Sequence, residues 1–187
     1  ERTGEIMFGL NMVVHKGKTI FVGDTSVHEY PTSKQLSEIA ISSARVVRLF
    51  GFDPKVAFVS HSTFGQPLTS RTKHIKEAVE ILKERKVDFE FDGDMQPDVA
   101  LNEEYKSLYP FSKIVGNANI LIMPGQHSAA ISYKMMKTLG DIKVIGPLLI
   151  GLGLPIEIAP LRSSTSEIIN LASIAAYSAD VINYKKN

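Results

Sequence analysis

Apolar positions along the chain keep two rhythms, every second residue in short runs and every third or fourth in longer ones. Two apolar runs, IMFGLNMVV and TIFVG, lie within residues 6–23 on either side of HKGK. Gly17 supplies a turn residue, so this stretch predicts a β-hairpin. Pro31, then Thr32 with Gln35 three positions on, predicts a helix start with a capping box. Leu36, Ile39, Ala40, Val46, Val47 and Phe50 fall mostly on one face of that helix, and Gly51 ends it. Pro54 opens a buried strand, KVAFVS. A second helix over about 71–86 has Ile75, Ala78, Val79 and Leu82 as its apolar face.

VDFEF alternates as a strand should, FDGDMQPD reads as a turn, and VALNEEYKSL as a short helix. NILIM is a buried strand, and GQHSAAISYKMMKTLG is a helix closed by Gly140. Residues 144–161 read as buried short strands, and the last helix runs from about 165 to 180. Strands alternating with helices predict an α/β sandwich with a largely parallel sheet. Ligands of such sheets bind beyond the carboxyl ends of strands. Three loops qualify: HSTFGQP (61–67), PGQHS (124–128) and APLRSSTSE (159–167).

Composition narrows the function classes. The 187 residues are 44% hydrophobic, enough for a packed core, with 21 basic and 20 acidic side chains. Net charge is +1 and no run of five like charges occurs, so no nucleic-acid face is expected. Cysteine is absent, which excludes disulfides and thiolate metal sites and allows a reducing compartment. The stretch 144–161 contains Glu157, three prolines and three glycines, so no membrane span is expected there. The opening ERTGEIMFGL has neither an initiator Met nor a secretory pattern, and reads as a piece of a longer polypeptide.

Candidate chemistry sits on the three loops. In APLRSSTSE, Ser164 and Glu167 fit a capping box, and the same helix start suits an anion. Arg162 would add a bidentate donor beside Ser163, and the two readings compete for the same amide hydrogens. In SHSTFG, Ser62 and Thr63 offer hydroxyls, Phe64 a stacking face and Gly65 close backbone approach; an ordinary turn is the competing reading. His61 and His127 fall on candidate loops, with Ser128 beside the latter; His15, His28 and His74 read as surface or loop residues. Asp92, Asp94 and Asp98 read as a solvated turn, because their spacing fits no calcium loop. GLGLP (151–155) is not a dinucleotide fingerprint, and no G-x-S-x-G is present.

The order of VGDTSVHEYPTSKQLSEIAISSA, KVAFVSHSTFG, DFEFDGDMQPDVAL, ANILIMPGQHSAAISYK and IGPLLIGLGLPI resembles the phosphate acetyl/butyryl transferases, the phosphotransacetylases. The likeness runs along nearly the whole chain. It implies a three-layer α/β/α sandwich of the isocitrate/isopropylmalate dehydrogenase-like kind. It also implies a two-lobed domain, with residues 1–145 forming the second lobe and 146–187 returning to a first lobe that is mostly absent. Ser60–Gly65 and Met95 resemble one branch, the C-terminal phosphotransacetylase-like domain of bacterial NADP-dependent malic enzymes.

Working transferases place Lys where this chain has Phe64 and Asn where it has Ala130. Their Ser-Arg-Gly falls on Pro160, Leu161 and Arg162. Glu167 falls on the proposed catalytic acid position and reads as vestigial. Losing one preorganised donor typically costs ~10²–10³ in rate, so this resemblance implies a retained pocket without turnover. It implies acetyl-CoA, a CoA thioester, as effector, with Ser62, Thr63, Phe64, Gly65, His127, Ser128, Arg162 and Ser163 as ligand-binding residues. It further implies a cytoplasmic homo-oligomer, at least a dimer. NADP and Mg or Mn would belong to a malate-decarboxylating catalytic domain elsewhere in the polypeptide. The alternative is an active phosphate acetyltransferase. Apolar surface is expected to stand exposed over 144–161.

Overall fold

The computed structural model describes residues 5–65 and 69–184. The hairpin is present, as β1 (Phe8–His15) and β2 (Lys18–Gly23) joined at Lys16-Gly17. There follow α1 (Ser33–Leu49), β3 (Lys55–Val59), α2 (Ser70–Arg85), β4 (Glu90–Met95), α3 (Pro97–Leu101) and α4 (Glu103–Lys106). The chain continues through β5 (Ile120–Ile122), α5 (Gln126–Leu139), β6 (Lys143–Ile150) and α6 (Thr165–Tyr184). The strands form one sheet in the order β4-β3-β5-β2-β1-β6. β4, β3, β5 and β2 run parallel, while β1 is antiparallel to both β2 and β6.

Alternation within each strand makes two cores, because successive side chains leave a strand on opposite faces. Phe58 of β3 and Ile120 and Ile122 of β5 face one side, where Leu36, Ile39 and Val47 of α1 and Ala78 and Leu82 of α2 cover them. Ala57, Val59 and Leu121 face the other side, with Ala100 of α3 and Ala129 of α5. The result is a sheet between two helical layers. Buried on both faces, β3 and β5 read as continuous apolar runs. The predicted capping box of α1 is formed: Gln35 N–H donates to Thr32 Oγ1 (3.2 Å), and Thr32 N–H donates to Gln35 Oε1 (2.8 Å).

Two expectations are corrected. The sequence FDGDM is the body of β4 rather than a turn, and the Asp92 and Asp94 side chains are buried rather than solvated. Hydrogen bonds replace water at three of their four carboxyl oxygens, and Asp94 Oδ1 is buried without a partner among the described residues. Asp92 accepts from the N–H groups of Gly93 (3.0 Å) and Lys113 (2.7 Å), and Asp94 Oδ2 accepts from Ser62 Oγ (2.6 Å). Gly93 permits this packing: with φ +154° it lies against β3, and a Cβ there would stand 2.7 Å from Phe58 Cβ. Second, 144–161 holds one long strand rather than several. After β6 the chain crosses over irregularly through 151–164, pairing with the sheet, among the described residues, at one antiparallel bridge, Leu148 to Glu157.

The Ile145–Gly146 junction lies inside β6, which pairs with β1 on both sides of it. Leu154, Ile156, Ile158 and Leu161 stand exposed along the crossover, as expected for this segment. Among the described residues no helix is long and apolar enough to cross a membrane.

Candidate functional site

β2, β3, β4, β5 and β6 all end on one edge of the sheet, and three of the loops leaving it are 24–32 after β2, 60–65 after β3 and 123–125 after β5. The first is organised by Asp24, which is 1% exposed. Its Oδ1 accepts from the N–H groups of Gly9 (2.8 Å), Ser26 (2.8 Å) and Val27 (3.1 Å). Its Oδ2 accepts from His28 N–H (2.7 Å) and lies 2.7 Å from His28 Nδ1. A short carboxylate that gathers the amides after a strand end is an extended Asx turn. It fixes the path of Glu29 and Tyr30.

These two residues form one wall of a cleft of about 390 Å³, which the starts of α1, α2 and α5 complete with Thr32, Ser70, His74, His127 and Ser128. Gly125 allows the walls to meet, since a Cβ there would come within 2.3 Å of the Glu29 carbonyl oxygen. His127 Nε2 is 2.9 Å from Glu29 Oε1, and its ring stacks on Tyr30 at 6.5 Å between centroids. Ser128 Oγ donates to the Gly125 carbonyl (2.8 Å). No side chain caps the start of α5. The uncapped α5 start carries partial positive charge and favours an anionic group, the Glu29 carboxylate opposes one, and hydroxyls and imidazoles line the rest.

The second loop is largely committed to its own architecture. Ser62 is buried and donates to Asp94, and Thr63 Oγ1 accepts from Gln96 N–H (3.0 Å). Phe64 adopts a left-handed φ of +50° and donates its N–H to the Asp94 carbonyl (2.7 Å). Its ring packs with Phe111 at 5.0 Å and Tyr109 at 5.7 Å. Among the described residues the Thr63 carbonyl, 3.6 Å from a Cβ position, is the neighbour Gly65 meets. A smaller cavity of about 270 Å³ lies beside Phe64, Phe111, Lys76 and Lys113.

At the third segment the two competing readings separate. Ser164 N–H donates to Glu167 Oε2 (2.7 Å) and Glu167 N–H donates to Ser164 Oγ (3.3 Å), so the capping box is formed. Lys137 Nζ of α5 donates to Glu167 Oε1 (2.8 Å). Lys137 first, then the Ser164 N–H and hydroxyl, hold the Glu167 carboxyl down to about 2. A carboxylate so well stabilised is a poor proton acceptor at neutral pH. Ser163 N–H closes a turn onto the Pro160 carbonyl (2.9 Å). Arg162 is exposed and makes no hydrogen bond or ion pair among the described residues, and the Leu161 side chain is fully exposed.

The expected residues therefore occupy three places. His127 and Ser128 face the cleft; Ser62, Thr63, Phe64 and Gly65 belong to the loop bound to β4; Arg162, Ser163 and Glu167 lie at the start of α6. Glu167 meets α5 at Lys137, ten residues beyond His127, roughly 15 Å along the helix at ~1.5 Å per residue. Sequence reasoning missed Asp24, Glu29, Tyr30, Ser70 and His74. The signal for the first three was DTSVHEYP directly after a strand. Reading TIFVG only as a hairpin arm concealed its second role as a parallel neighbour of β5. Among the described residues no group of three His, Cys, Asp or Glu is placed to hold a metal.

Residues 1–176 match the model of the family described as "Phosphate acetyl/butaryl transferase". An NADP-dependent malic enzyme of Rhizobium meliloti (strain 1021) is 46% identical over 178 residues, covering 95% of this chain and 23% of that protein. A phosphate acetyltransferase of Clostridium acetobutylicum is 35% identical over 162 residues, covering 86% of this chain and 49% of that protein. A crystal structure of a phosphotransacetylase from Streptococcus pyogenes superposes with a TM-score of 0.87 at 31% identity, covering 94% of this chain and 54% of that one. The chain thus spans about a quarter to a half of the length of these relatives. Strand order, loop placement and sequence agree on one conclusion: the chain belongs to the phosphate acetyl/butaryl transferase family.

Proposed function

We propose that this chain is a non-catalytic, acetyl-CoA-sensing and assembly domain of an NADP-dependent malic enzyme. The conversion of malate to pyruvate and CO₂, with NADP and Mg or Mn, is assigned to a catalytic portion elsewhere in that polypeptide. The identity to the Rhizobium meliloti enzyme supports the parentage. The observation that carries the loss of chemistry is the state of the α6 start. Pro160 and Leu161 offer no hydroxyl or guanidinium, and Glu167 is held as a capped, ion-paired carboxylate.

In this reading the CoA thioester binds along the carboxyl edge, with its anionic groups toward the helix starts at His127 and Ser128. Ser62 and Thr63 keep the neighbouring loop rigid, Phe64 and Gly65 shape its surface, and Arg162 with Ser163 contributes when a further lobe closes over the site. Residues 146–187 are assigned as the return to that lobe. Binding one arrangement of lobes or subunits better than another shifts the population and so transmits the signal. Exposed Ile131, Met135 and Leu139 repeat every four residues on α5, and with Leu154 and Ile158 they support a homo-oligomer, at least a dimer. Absence of cysteine fits a reducing cytoplasm.

Calorimetry with acetyl-CoA tests the sensor in the full polypeptide that carries this domain. Saturable heat that weakens in Arg162→Ala is expected; no heat in a folded oligomer rejects it. The second reading, an active phosphate acetyltransferase, is favoured by the Clostridium acetobutylicum relative. It requires acetyl-CoA formation from acetyl phosphate and CoA by the same preparation.

A further inference from the structure

A third cavity, of about 170 Å³, shares no lining residue with the cleft and lies between α1, β6, the 151–157 part of the crossover and α6. Its walls are mainly apolar, with Val46 and Phe50 from α1, Leu148 from β6, Leu154 from the crossover and Ile174 from α6. Into these surroundings the crossover inserts one carboxyl group, Glu157, at the residue whose backbone bridges to Leu148. The Leu149 N–H supports that carboxyl group, while its Oε2 is buried with no partner among the described residues.

The other titratable groups lining the cavity are already engaged. Arg45 of α1 pairs with Glu5 at 3.0 Å, and Tyr177 of α6 donates to the Leu49 carbonyl at 3.1 Å. The β6 residues of the wall are uncharged. Among the described residues no cation therefore compensates an ionised Glu157, and an ion without a partner in an apolar cavity is costly.

We propose that Glu157 is a proton-dependent latch: neutral, it holds the crossover against β6 and α1, and ionised, it releases residues 151–164 from the sheet. The bridge to Leu148 is the crossover's one ladder contact with the sheet among the described residues, so that contact gives way first. The segment released carries Arg162 and Ser163, just ahead of the α6 start that Lys137 holds, so proton binding sets how freely these two residues move. Burial supports this by pushing the Glu157 carboxyl up to about 7, from 4.5 for the free group. Because folding raises this value, protonation favours the docked form. Stability from this group is full below 4.5, falls as pH climbs to about 7, and is level above.

The test needs no ligand, so its outcome is independent of the acetyl-CoA reading. Amide exchange of residues 147–164, corrected for intrinsic rates, is followed from pH 5.5 to 8.5. Protection that drops across neutrality in the native chain, and becomes pH-independent in Glu157→Gln, is expected. The same pH dependence in the variant, or none in the native chain, overturns the latch. A carboxyl-carbon NMR titration of the native protein gives a second reading that does not depend on how the variant folds. A Glu157 midpoint near neutrality is expected, and one in the ordinary carboxylate range overturns the proposal.

Discussion

Lys137 on α5 and Glu167 on α6 are joined at 2.8 Å, and this contact fixes the start of the last helix against α5, in one of the two helical layers. The carboxylate simultaneously closes the helix's own capping box. One side chain thus serves both a local and a long-range constraint, which leaves it little freedom for acid–base work.

Lys137→Met removes the largest influence on the Glu167 carboxyl. Its titration midpoint should rise from about 2 toward the ordinary value of 4.5, stopping short because Ser164 still donates to it. Since folding lowers this midpoint, the contribution to stability is present above the unfolded value and disappears as pH falls toward 2. The variant should therefore lose less stability than the native chain between pH 4.5 and 2. Carboxyl-resolved NMR and acid unfolding curves check both statements.

Asp24→Asn keeps the shape of the side chain but makes one terminal atom a donor facing amide donors. At least one of the contacts to Gly9, Ser26, Val27 and His28 must then break. A loss of about 2 kcal/mol is expected, as for a buried hydrogen-bonded charge network. The 24–32 loop should lose amide protection before the helices do. Urea unfolding with hydrogen exchange measures the two effects together.

Gly93→Ala places a methyl 2.7 Å from Phe58 Cβ and 2.8 Å from its carbonyl oxygen, at φ +154°. Neither neighbour is a flexible side-chain end, so β4 must move away from β3. A destabilisation of about 2–3 kcal/mol is expected, at the upper end for overpacking of one carbon. Denaturant midpoints of the purified variant decide it.

Lys106→Met should be neutral or stabilising by up to about 1 kcal/mol, unlike most changes at a 7% exposed site. The Lys106 ammonium is buried with no partner among the described residues. Burial lowers its pKa, with Lys55 adding to the effect against Glu103 and Glu90. Methionine keeps the stem's packing and removes the stranded charge. A clear fall in melting temperature would show that the ammonium has a partner that matters.

Much of the fold was legible because its information is local. The α1 capping box, the hairpin at Lys16-Gly17 and the apolar runs of β3 and β5 each follow from residues within a few positions of one another. What failed was non-local. FDGDM has the composition of a turn; its parallel ladder with β3 makes it a strand, and Lys113 N–H, Ser62 Oγ and the close approach of Gly93 to Phe58 let its carboxylates be buried there. The cleft was half legible: His127 and Ser128 lie on a loop that follows an obvious strand. Glu29 joins them because β2 is paired with β5, and His74 because β3 is paired with the other edge of β5, relationships no short window contains. At APLRSSTSE the residues allowed both a cap and an anion site, and the choice was made by Lys137, thirty residues upstream.

The place of β1 has a consequence for how the protein is made. This first strand lies between β2 and β6, so one side is paired at once while the other awaits Leu148 and its neighbours, more than a hundred residues later. On a ribosome emitting roughly 5–20 residues per second, that edge stays open for roughly 7–27 seconds. An unpaired edge is a template for the wrong strand, so the nascent chain has its greatest exposure to misassociation before the β6 sequence emerges.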